Sequence, residues 1–440
     1  MWMSTFARLA LPALQRSVPV KARQTLQACC RPGRADGLIS VQLRGQQTLG
    51  AACVSVSQHA LRHARALDEE RMVEVKWEDG GQSLYPFTWL RDNCQCPHCN
   101  LDSAQARKLL MSQLDVHTGV DSVQVTKDKK LSIVWPDQHA SVFEAEWLKK
   151  RCFSPAARKA LQEELFINDR YYWDSKLDIP KADFHEVLHS DKAALDWILD
   201  LRRMGIVYLK NAPAEPGQVA RLAERIGYLR LTYYGHTFQV KDKYLANNVA
   251  YTTGRLSLHT DYPALHYTPG LQVLHCINQA QEGGESEMVD GFHMAELLKR
   301  EDPEAFHTLS TLQVDFTDKG MDYCDFMVQS KKTVISVGPD GKIWRISCNN
   351  ATRDSVLDLP LHQVQPFYRA LKAYENLMNR PENLVTYKME PGDMVTFDNW
   401  RLLHGRRSYV GMRHLEGAYL DWDEVMSRFR LLRKSVQGGA

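Results

Sequence analysis

His259 and Asp261 stand two positions apart in "GRLSLHTDYPALHY", and His266 follows a few residues later. "LSLHTDY" alternates, so it reads as an extended segment. Residues i and i+2 then share a face, at a rise of about 3.3 Å per residue. An imidazole and a carboxylate that project together can hold one metal ion. His266 comes after Pro263 and need not face the same way. A lone His-x-Asp is common in polar loops, so a real site needs a third ligand from elsewhere.

"EPGDMVTFDNWRLLHGRRSYVGMRHLEGAY" supplies that ligand. Pro391-Gly392-Asp393 turns the chain, "MVTF" reads as a buried strand, and His404 follows on a polar segment before Gly405. Two histidines and one carboxylate make the facial ligand set of non-haem Fe(II) oxygenases, which leaves positions open for other ligands. A dicarboxylic oxo acid fills two of them through its 1-carboxylate and 2-oxo oxygen, and O2 takes the last. The distal carboxylate of that acid needs a forked cation. Arg413, nine residues beyond His404, has the right chemistry.

Short strands must position these groups. "MVEVKWEDG" alternates, and Asp79-Gly80-Gly81 is a turn signal, so "SLYPFTWL" reads as the second arm of a hairpin. "LSIVWPD" is another strand. In "SPAARKALQEELF", Ser154 can cap a helix with Pro155 at its first position. "LDWILDLRRMGIVYLKNAP" is an amphipathic helix ending near Gly205, then a strand, and "PGQVARLAERIGYL" is another helix. "LQVLHCI", "SEMVDGF", "TVISVGPDGKIWRIS" and "LVTYKMEPGDMVTFDNW" are short strands with turn signals. The expected fold is mainly β with covering helices, as a barrel or double-sheet jelly roll. At the end, Trp422, Val425, Met426, Phe429 and Leu432 form one helix face, suited to packing on the barrel or on a second subunit.

Charge narrows the function classes. The 440 residues carry a net charge of +2, but residues 1–65 hold nine Lys or Arg and one acid, a charge of +8. The remainder is therefore at −6, which argues against nucleic-acid binding and its basic face. No run of about 18 apolar residues suggests a membrane span. The basic, acid-free start "MWMSTFARLALPALQRSVPVKARQ" has the composition of a mitochondrial targeting peptide. Residues 1–65 are expected to be a disordered leader, with the mitochondrial matrix as destination and the cytoplasm as the alternative.

The chain resembles the γ-butyrobetaine dioxygenases, within the 2-oxoglutarate-dependent oxygenases related to taurine dioxygenase. The resemblance runs from about residue 70 to 435. It rests on "LYPFTWLRDNCQCPHCNLDSAQARKLL", "WLKKRCFS", "YGHTFQV", "NNVAYTTGRLSLHTDYPALH", "VDFTDKGMDYCDF" and "TFDNWRLLHGRRSY". The trimethyllysine dioxygenases share the domain plan, but "AYTTG", "DYPALH" and "YCDF" look more like the butyrobetaine enzymes.

The resemblance implies a small zinc-binding β domain over 68–152, a helical linker over 153–180 and a double-stranded β-helix (jelly-roll) oxygenase core over 181–435. It implies that His259, Asp261 and His404 bind iron, that Arg413 binds 2-oxoglutarate, and that Ser286 in "GGESE" lies near the oxo acid. Related halogenases carry a small residue at the Asp position, so Asp261 argues for hydroxylation. A trimethylammonium group donates no conventional hydrogen bond, and aromatic faces hold it at about 0.5–2 kcal/mol per well-placed ring. By resemblance, Tyr234, Phe238, Tyr251 and Tyr419 form this cage, and Asn248 and Asn349 serve the substrate carboxylate. Two features depart from the family: Phe238 replaces a Trp, and "VGM" between Tyr409 and Arg413 is a shorter loop. The implied reaction is hydroxylation of γ-butyrobetaine at C3 to L-carnitine, coupled to conversion of 2-oxoglutarate and O2 to succinate and CO2. Ascorbate as reductant and a homodimer are implied as well.

Cys94, Cys96 and Cys99 lie in "DNCQCPHCN", and the other seven cysteines are scattered, which is no disulfide framework. A structural zinc of Cys3His type needs one histidine. His98 is crowded by adjacent Cys99, whereas His139 in "WPDQHASVF" follows a strand and is the ligand the resemblance implies. Two rival readings stand. One is hydroxylation of trimethyllysine, which needs an acidic partner for its extra ammonium. The other is a catalytically inactive zinc-binding dimeric scaffold.

Overall fold

The computed structural model describes residues 59–246 and 248–438, and residues 1–58 of the expected leader lie outside them. Ser57–Ala440 forms one compact unit. The folded part starts earlier than residue 68. Leu61–Leu67 is a strand paired antiparallel with Met72–Trp77, so the leader assigned to 1–65 overruns a structured element. Leu61 and Ala64 point inward while Arg62, His63 and Arg65 face out, with a bulge between Leu61 and His63. The bulge and the basic outer residues hide the strand's alternation.

Gln82–Pro86 completes this sheet, but the hairpin arm stops there. Phe87–Asp92 is a helix, which corrects the extended reading of "SLYPFTWL". Pro86 is its N-cap, and Phe87 and Leu90 bury themselves at helical i, i+3 spacing. A second three-stranded sheet, Ser122–Val125, Leu131–Val134 and Ala140–Phe143, shares a core with the first. Trp77 and Trp135 lie in that core, and each donates its indole N–H to a serine six residues on, Ser83 at 2.9 Å and Ser141 at 2.8 Å. Pro155–Phe166 follows as a helix whose N-cap Ser154 accepts from Ala157 N at 3.3 Å.

The rest of the chain is mixed α/β. A six-stranded sheet has the order Phe238–Val240, His414–Leu420, Leu271–Asn278, Met394–Asp398, Ile206–Lys210, Lys181–Asp183. A four-stranded sheet has the order Leu256–His259, Leu402–Arg406, Ser286–Asp290, Val385–Tyr387. Strand alternation sorts side chains between cores. Val207, Leu209, Val273 and Ala418 pack under helices Asp191–Met204, Gln218–Ile226 and Trp422–Gly438. Tyr208, Val395, Phe397 and Leu415 point the other way and share a cluster with Met288, Val385 and Leu402 of the smaller sheet. Behind the smaller sheet, Leu258, Val289 and Leu403 pack against helices Gly291–Glu301, Pro303–Thr311 and Leu361–Met378.

The apolar stripe of the terminal helix is consumed inside the chain. Trp422, Val425, Met426, Phe429 and Leu432 join the core with helix Asp191–Met204, so this stripe offers no surface to a second subunit. Among the described residues no helix is long and apolar enough to cross a membrane.

Candidate metal centre and substrate cavity

The smaller sheet brings the two histidines together. His259 ends the strand Leu256–His259, and in the antiparallel ladder its direct partner is His404 on Leu402–Arg406. Alternation turns Leu258 and Leu403 outward to the helices and both imidazoles inward, with ring centroids 4.2 Å apart. The segment expected to be polar after "MVTF" is instead a strand buried along all five residues. Gly405 permits this close pairing, since a Cβ there would lie 2.8 Å from the Leu256 carbonyl oxygen.

Asp261 follows the strand and turns back onto the histidines. Its Oδ1 lies 3.2 Å from His259 Nε2 and 3.8 Å from His404 Nε2. One ligand atom from each of the three residues falls within 4.8 Å of the others. His259 Nδ1 donates to the Ser257 carbonyl at 2.8 Å, which leaves the Nε2 lone pair of the neutral ring facing Asp261. A lone pair and a carboxylate oxygen at that distance require a proton or a cation between them. Burial opposes charge on His259, but the hydrogen bond and charge of Asp261 outweigh it and raise the imidazole above its ordinary value. Burial also opposes charge on Asp261, yet the His404 and His259 rings hold it well below the usual carboxylate range. Burial and then His259 push His404 down to about 3. The donor set, convergence and tautomer all fit a divalent cation.

Arg413 precedes the strand His414–Leu420 and is buried on the cavity wall. Burial, then repulsion from Arg406, lower its guanidinium to about 10, so it stays charged at neutral pH. Its buried Nε lacks a hydrogen-bond partner, and among the described residues no carboxylate lies within 4 Å of it. A buried cation that no anion meets is costly, and a ligand carboxylate would satisfy it. Ser286, first in Ser286–Asp290, lines the same cavity.

The cavity encloses about 730 Å³, within the range of small-molecule sites. Tyr234, Phe238, Tyr251 and Tyr419 all line it. Phe238 stacks on Tyr419 with centroids 5.1 Å apart, and Tyr234 meets Tyr251 edge-on at 6.3 Å. Asn248 and Asn349 also reach the wall, but each makes local bonds of the turn type. Asn248 Oδ1 accepts from Ala250 N at 2.9 Å, and its Nδ2 donates to the Tyr234 hydroxyl at 3.0 Å. Asn349 Oδ1 accepts from Ala351 N at 3.0 Å, while its Nδ2 donates to the Thr260 carbonyl at 3.3 Å. His266 is absent from the cavity lining.

Four contributors escaped sequence reasoning. Tyr262 adds a further ring, 5.7 Å from Tyr234 and 5.5 Å from Tyr419. Asn399, fully buried, accepts from Asp261 N at 2.8 Å and donates to the carbonyls of Asp261 and Pro269, both at 3.0 Å. Arg406 donates to the carbonyls of Ala250, Thr252 and Gly254 at 3.1, 2.7 and 2.8 Å. It thereby ties the loop bearing Asn248 and Tyr251 to the strand bearing His404. Asp318 is the fourth and lines the cavity from a separate hairpin. Asn399 stands in "TFDNW", where a polar residue just after a buried strand was the one available signal.

The cysteine cluster forms a second centre. His139 Nε2 lies 3.3 Å from Cys94 Sγ and 3.5 Å from both Cys96 Sγ and Cys99 Sγ. A tetrahedral zinc with ordinary Zn–S and Zn–N bonds separates its ligands by about 3.5 Å. The three thiols are unpaired by disulfides, and His98 is not in the group. Arg91 Nη1 points to Cys99 Sγ at 3.4 Å, a donor suited to a thiolate. Burial pushes the Cys94 thiol up to about 12, a penalty that a bound cation removes.

Residues 172–419 match the taurine catabolism dioxygenase TauD, TfdA family, and residues 64–149 match the N-terminal region described as gamma-butyrobetaine hydroxylase-like. The chain is 55% identical over 383 residues to gamma-butyrobetaine dioxygenase of Homo sapiens, covering 86% of this chain and 99% of that protein. It is 32% identical over 365 residues to gamma-butyrobetaine dioxygenase of Pseudomonas sp. (strain AK-1), covering 82% and 94%. Mitochondrial trimethyllysine dioxygenase of Mus musculus is 29% identical over 355 residues, covering 79% and 82%.

Proposed function

The chain belongs to the taurine catabolism dioxygenase TauD, TfdA family, and from that premise we infer that it hydroxylates γ-butyrobetaine at C3 to L-carnitine, the last step of carnitine biosynthesis. Iron(II) supplies the centre at which O2 is reduced, and 2-oxoglutarate supplies two electrons by its conversion to succinate and CO2. His259, Asp261 and His404 would hold the iron, and Arg413 the distal carboxylate of 2-oxoglutarate, with Ser286 close by. The two sheets correspond to the double-stranded β-helix core, and Cys94, Cys96, Cys99 and His139 to a structural zinc site.

One contact carries the choice of substrate. The Tyr419 hydroxyl donates to Asp261 Oδ2 at 2.7 Å, so a ring of the cation cage touches a metal ligand. A cation held there must lie close to the carbon that reacts. In γ-butyrobetaine the quaternary nitrogen is two bonds from C3, whereas in trimethyllysine it is four bonds away. The rings of Tyr234, Phe238, Tyr251 and Tyr419 hold the cation and exclude water. Asn248 and Asn349 exchange local bonds for the substrate carboxylate. Placement of one C–H at the centre is the protein's contribution to rate.

Ascorbate as reductant and a homodimeric assembly belong to the same reading. The basic start of the chain supports import into the mitochondrial matrix, with the cytoplasm as alternative. The test uses full-length protein with Fe(II), 2-oxoglutarate and ascorbate, following succinate and product with γ-butyrobetaine and trimethyllysine side by side. Carnitine formation with little trimethyllysine turnover is expected. The reverse would transfer the protein to the trimethyllysine reaction, and metal binding with neither turnover would support the inactive scaffold.

A further inference from the structure

The hairpin Gln313–Met321/Asp325–Thr333 belongs to neither large sheet, yet it closes one side of the cage. Phe326 stacks on Tyr233 at 5.3 Å and meets Tyr234 edge-on at 5.6 Å. The Tyr323 N–H donates to the Tyr233 carbonyl at 3.1 Å. In the hairpin register Gly320 opposes Phe326 and Asp318 opposes Val328, so Asp318 and Phe326 share one face. Asp318 thus approaches the cavity from the same side as a ring packed on the cage, and it lines the cavity wall.

Its electrostatic setting is unusual. Among the described residues no Lys, Arg or His nitrogen lies within 4 Å of the Asp318 carboxylate. By contrast, Asp322 in the same hairpin loop pairs with Lys243 at 3.6 Å. Burial raises the Asp318 carboxyl above its ordinary value, the Lys319 backbone N–H opposes the rise, and the Asp261 charge adds a smaller increment to it. A half-buried carboxylate without a cation is unfavourable by itself. A ligand that brings a quaternary ammonium into the same cage removes that penalty.

We propose that Asp318 is the counter-charge of the cation subsite, a carboxylate that acts with the rings of Tyr234, Phe238, Tyr251, Tyr262 and Tyr419 to select a substrate with a cationic head group over one with an uncharged head group. This deepens the functional reading above and rests on it. Rings attract a cation through their quadrupoles, and Phe does so more weakly than Trp. A fixed negative charge on the wall makes up that difference. It acts at longer range and asks only for positive charge at the head group, whereas the rings also ask for shape.

The test compares γ-butyrobetaine with 5,5-dimethylhexanoate, an isostere whose head group is uncharged because carbon replaces the quaternary nitrogen. Wild-type turnover of γ-butyrobetaine comes first, and its absence counts against the functional reading rather than against Asp318. Given turnover, Asp318→Asn is expected to raise KM for γ-butyrobetaine at least tenfold and to leave the inhibition constant of the isostere within about twofold. Asp318→Ser should do the same if the Asn variant folds poorly, with melting temperature and 2-oxoglutarate affinity as checks on the fold. An equal loss for both ligands would make Asp318 a structural residue, and an unchanged KM would place the counter-charge elsewhere. Either result overturns the proposal.

Discussion

The Tyr419 hydroxyl donates to Asp261 Oδ2 at 2.7 Å, joining an aromatic wall of the cavity to the candidate metal centre across 158 positions of sequence. The same ring stacks on Phe238. One side chain therefore touches both the proposed cation subsite and a ligand of the proposed metal centre.

Tyr419→Phe separates these roles. The ring stays and the hydrogen bond to a carboxylate goes, a bond worth about 1.5–3 kcal/mol. The expected result is a KM for γ-butyrobetaine within about threefold of wild type, and a rise in succinate formed per carnitine. A large KM change with unchanged coupling would show that the hydroxyl serves only the substrate.

Asn399→Ala should loosen Asp261 without touching iron or substrate. The amide accepts from Asp261 N and donates to two carbonyls, and Tyr262 just after Asp261 has a left-handed φ of 58° that needs support. Loss of such an outer partner typically weakens metal affinity about 10–100-fold. Titration of Fe(II), or of a redox-inert substitute, checks this. Unchanged affinity would mean that the strand alone holds the carboxylate.

Phe238 lies flat over Gly417, its cross-strand partner, and a Cβ at Gly417 would come within 2.4 Å of two ring carbons. Phe238→Trp should tighten γ-butyrobetaine binding by about 0.5–1 kcal/mol through a better cation–π partner. Gly417→Ala should displace the ring and weaken binding. If both variants bind like wild type, the ring at 238 does not face the cation.

Removal of His139 from the proposed zinc site should act on the N-terminal sheets first. His139→Ala is expected to reduce bound zinc below one per chain and to lower the melting temperature. Hydrogen exchange should rise around residues 94–108, where the backbone folds over the thiols through Cys99 N to Cys96 O at 3.0 Å and Lys108 N to Cys99 O at 2.7 Å. Full zinc retention would remove His139 from the site.

Lys332 predicts a pH dependence of stability. Its ammonium is buried and donates to Thr268 Oγ1 at 2.8 Å and to the Leu265 carbonyl. Burial, then repulsion from Arg345 and Arg230, lower its pKa to about 7. The unfolded chain keeps this proton up to about pH 10.4, so between pH 7 and 10 the unfolded state binds more protons and stability from this group rises with pH. The slope is at most about 1.4 kcal/mol per pH unit. Lys332→Met should flatten the rise in denaturation midpoint across that window. A variant with the wild-type slope would show that the ammonium is solvated in the folded state.

Much of the centre was legible from residue types and spacing. An alternating "LSLHTDY" places His259 and Asp261 on one side because side-chain period in a strand is two, and a forked cation near a second histidine marks a dicarboxylate site. Ser154 as a cap, the Asp79-Gly80-Gly81 turn and the Cys-x-Cys-x-x-Cys cluster are local chemistry too, and each is where local chemistry put it. Tertiary structure alone decided the rest. Periodicity says which residues share a face but not which sheet the face meets, so sequence offered His404 as the third ligand but its place directly across from His259 became visible only with the ladder. Asn399, Arg406, Tyr262 and Asp318 are ordinary polar and aromatic types whose partners lie on other elements, and apart from the polar position of Asn399 after a buried strand nothing in their own neighbourhoods announces them. The terminal helix carried a clear apolar stripe, but whether it packs on its own sheet or on another chain depends on where the chain returns. Here it returns onto helix Asp191–Met204, and burial there removes the apolar face from water within one chain.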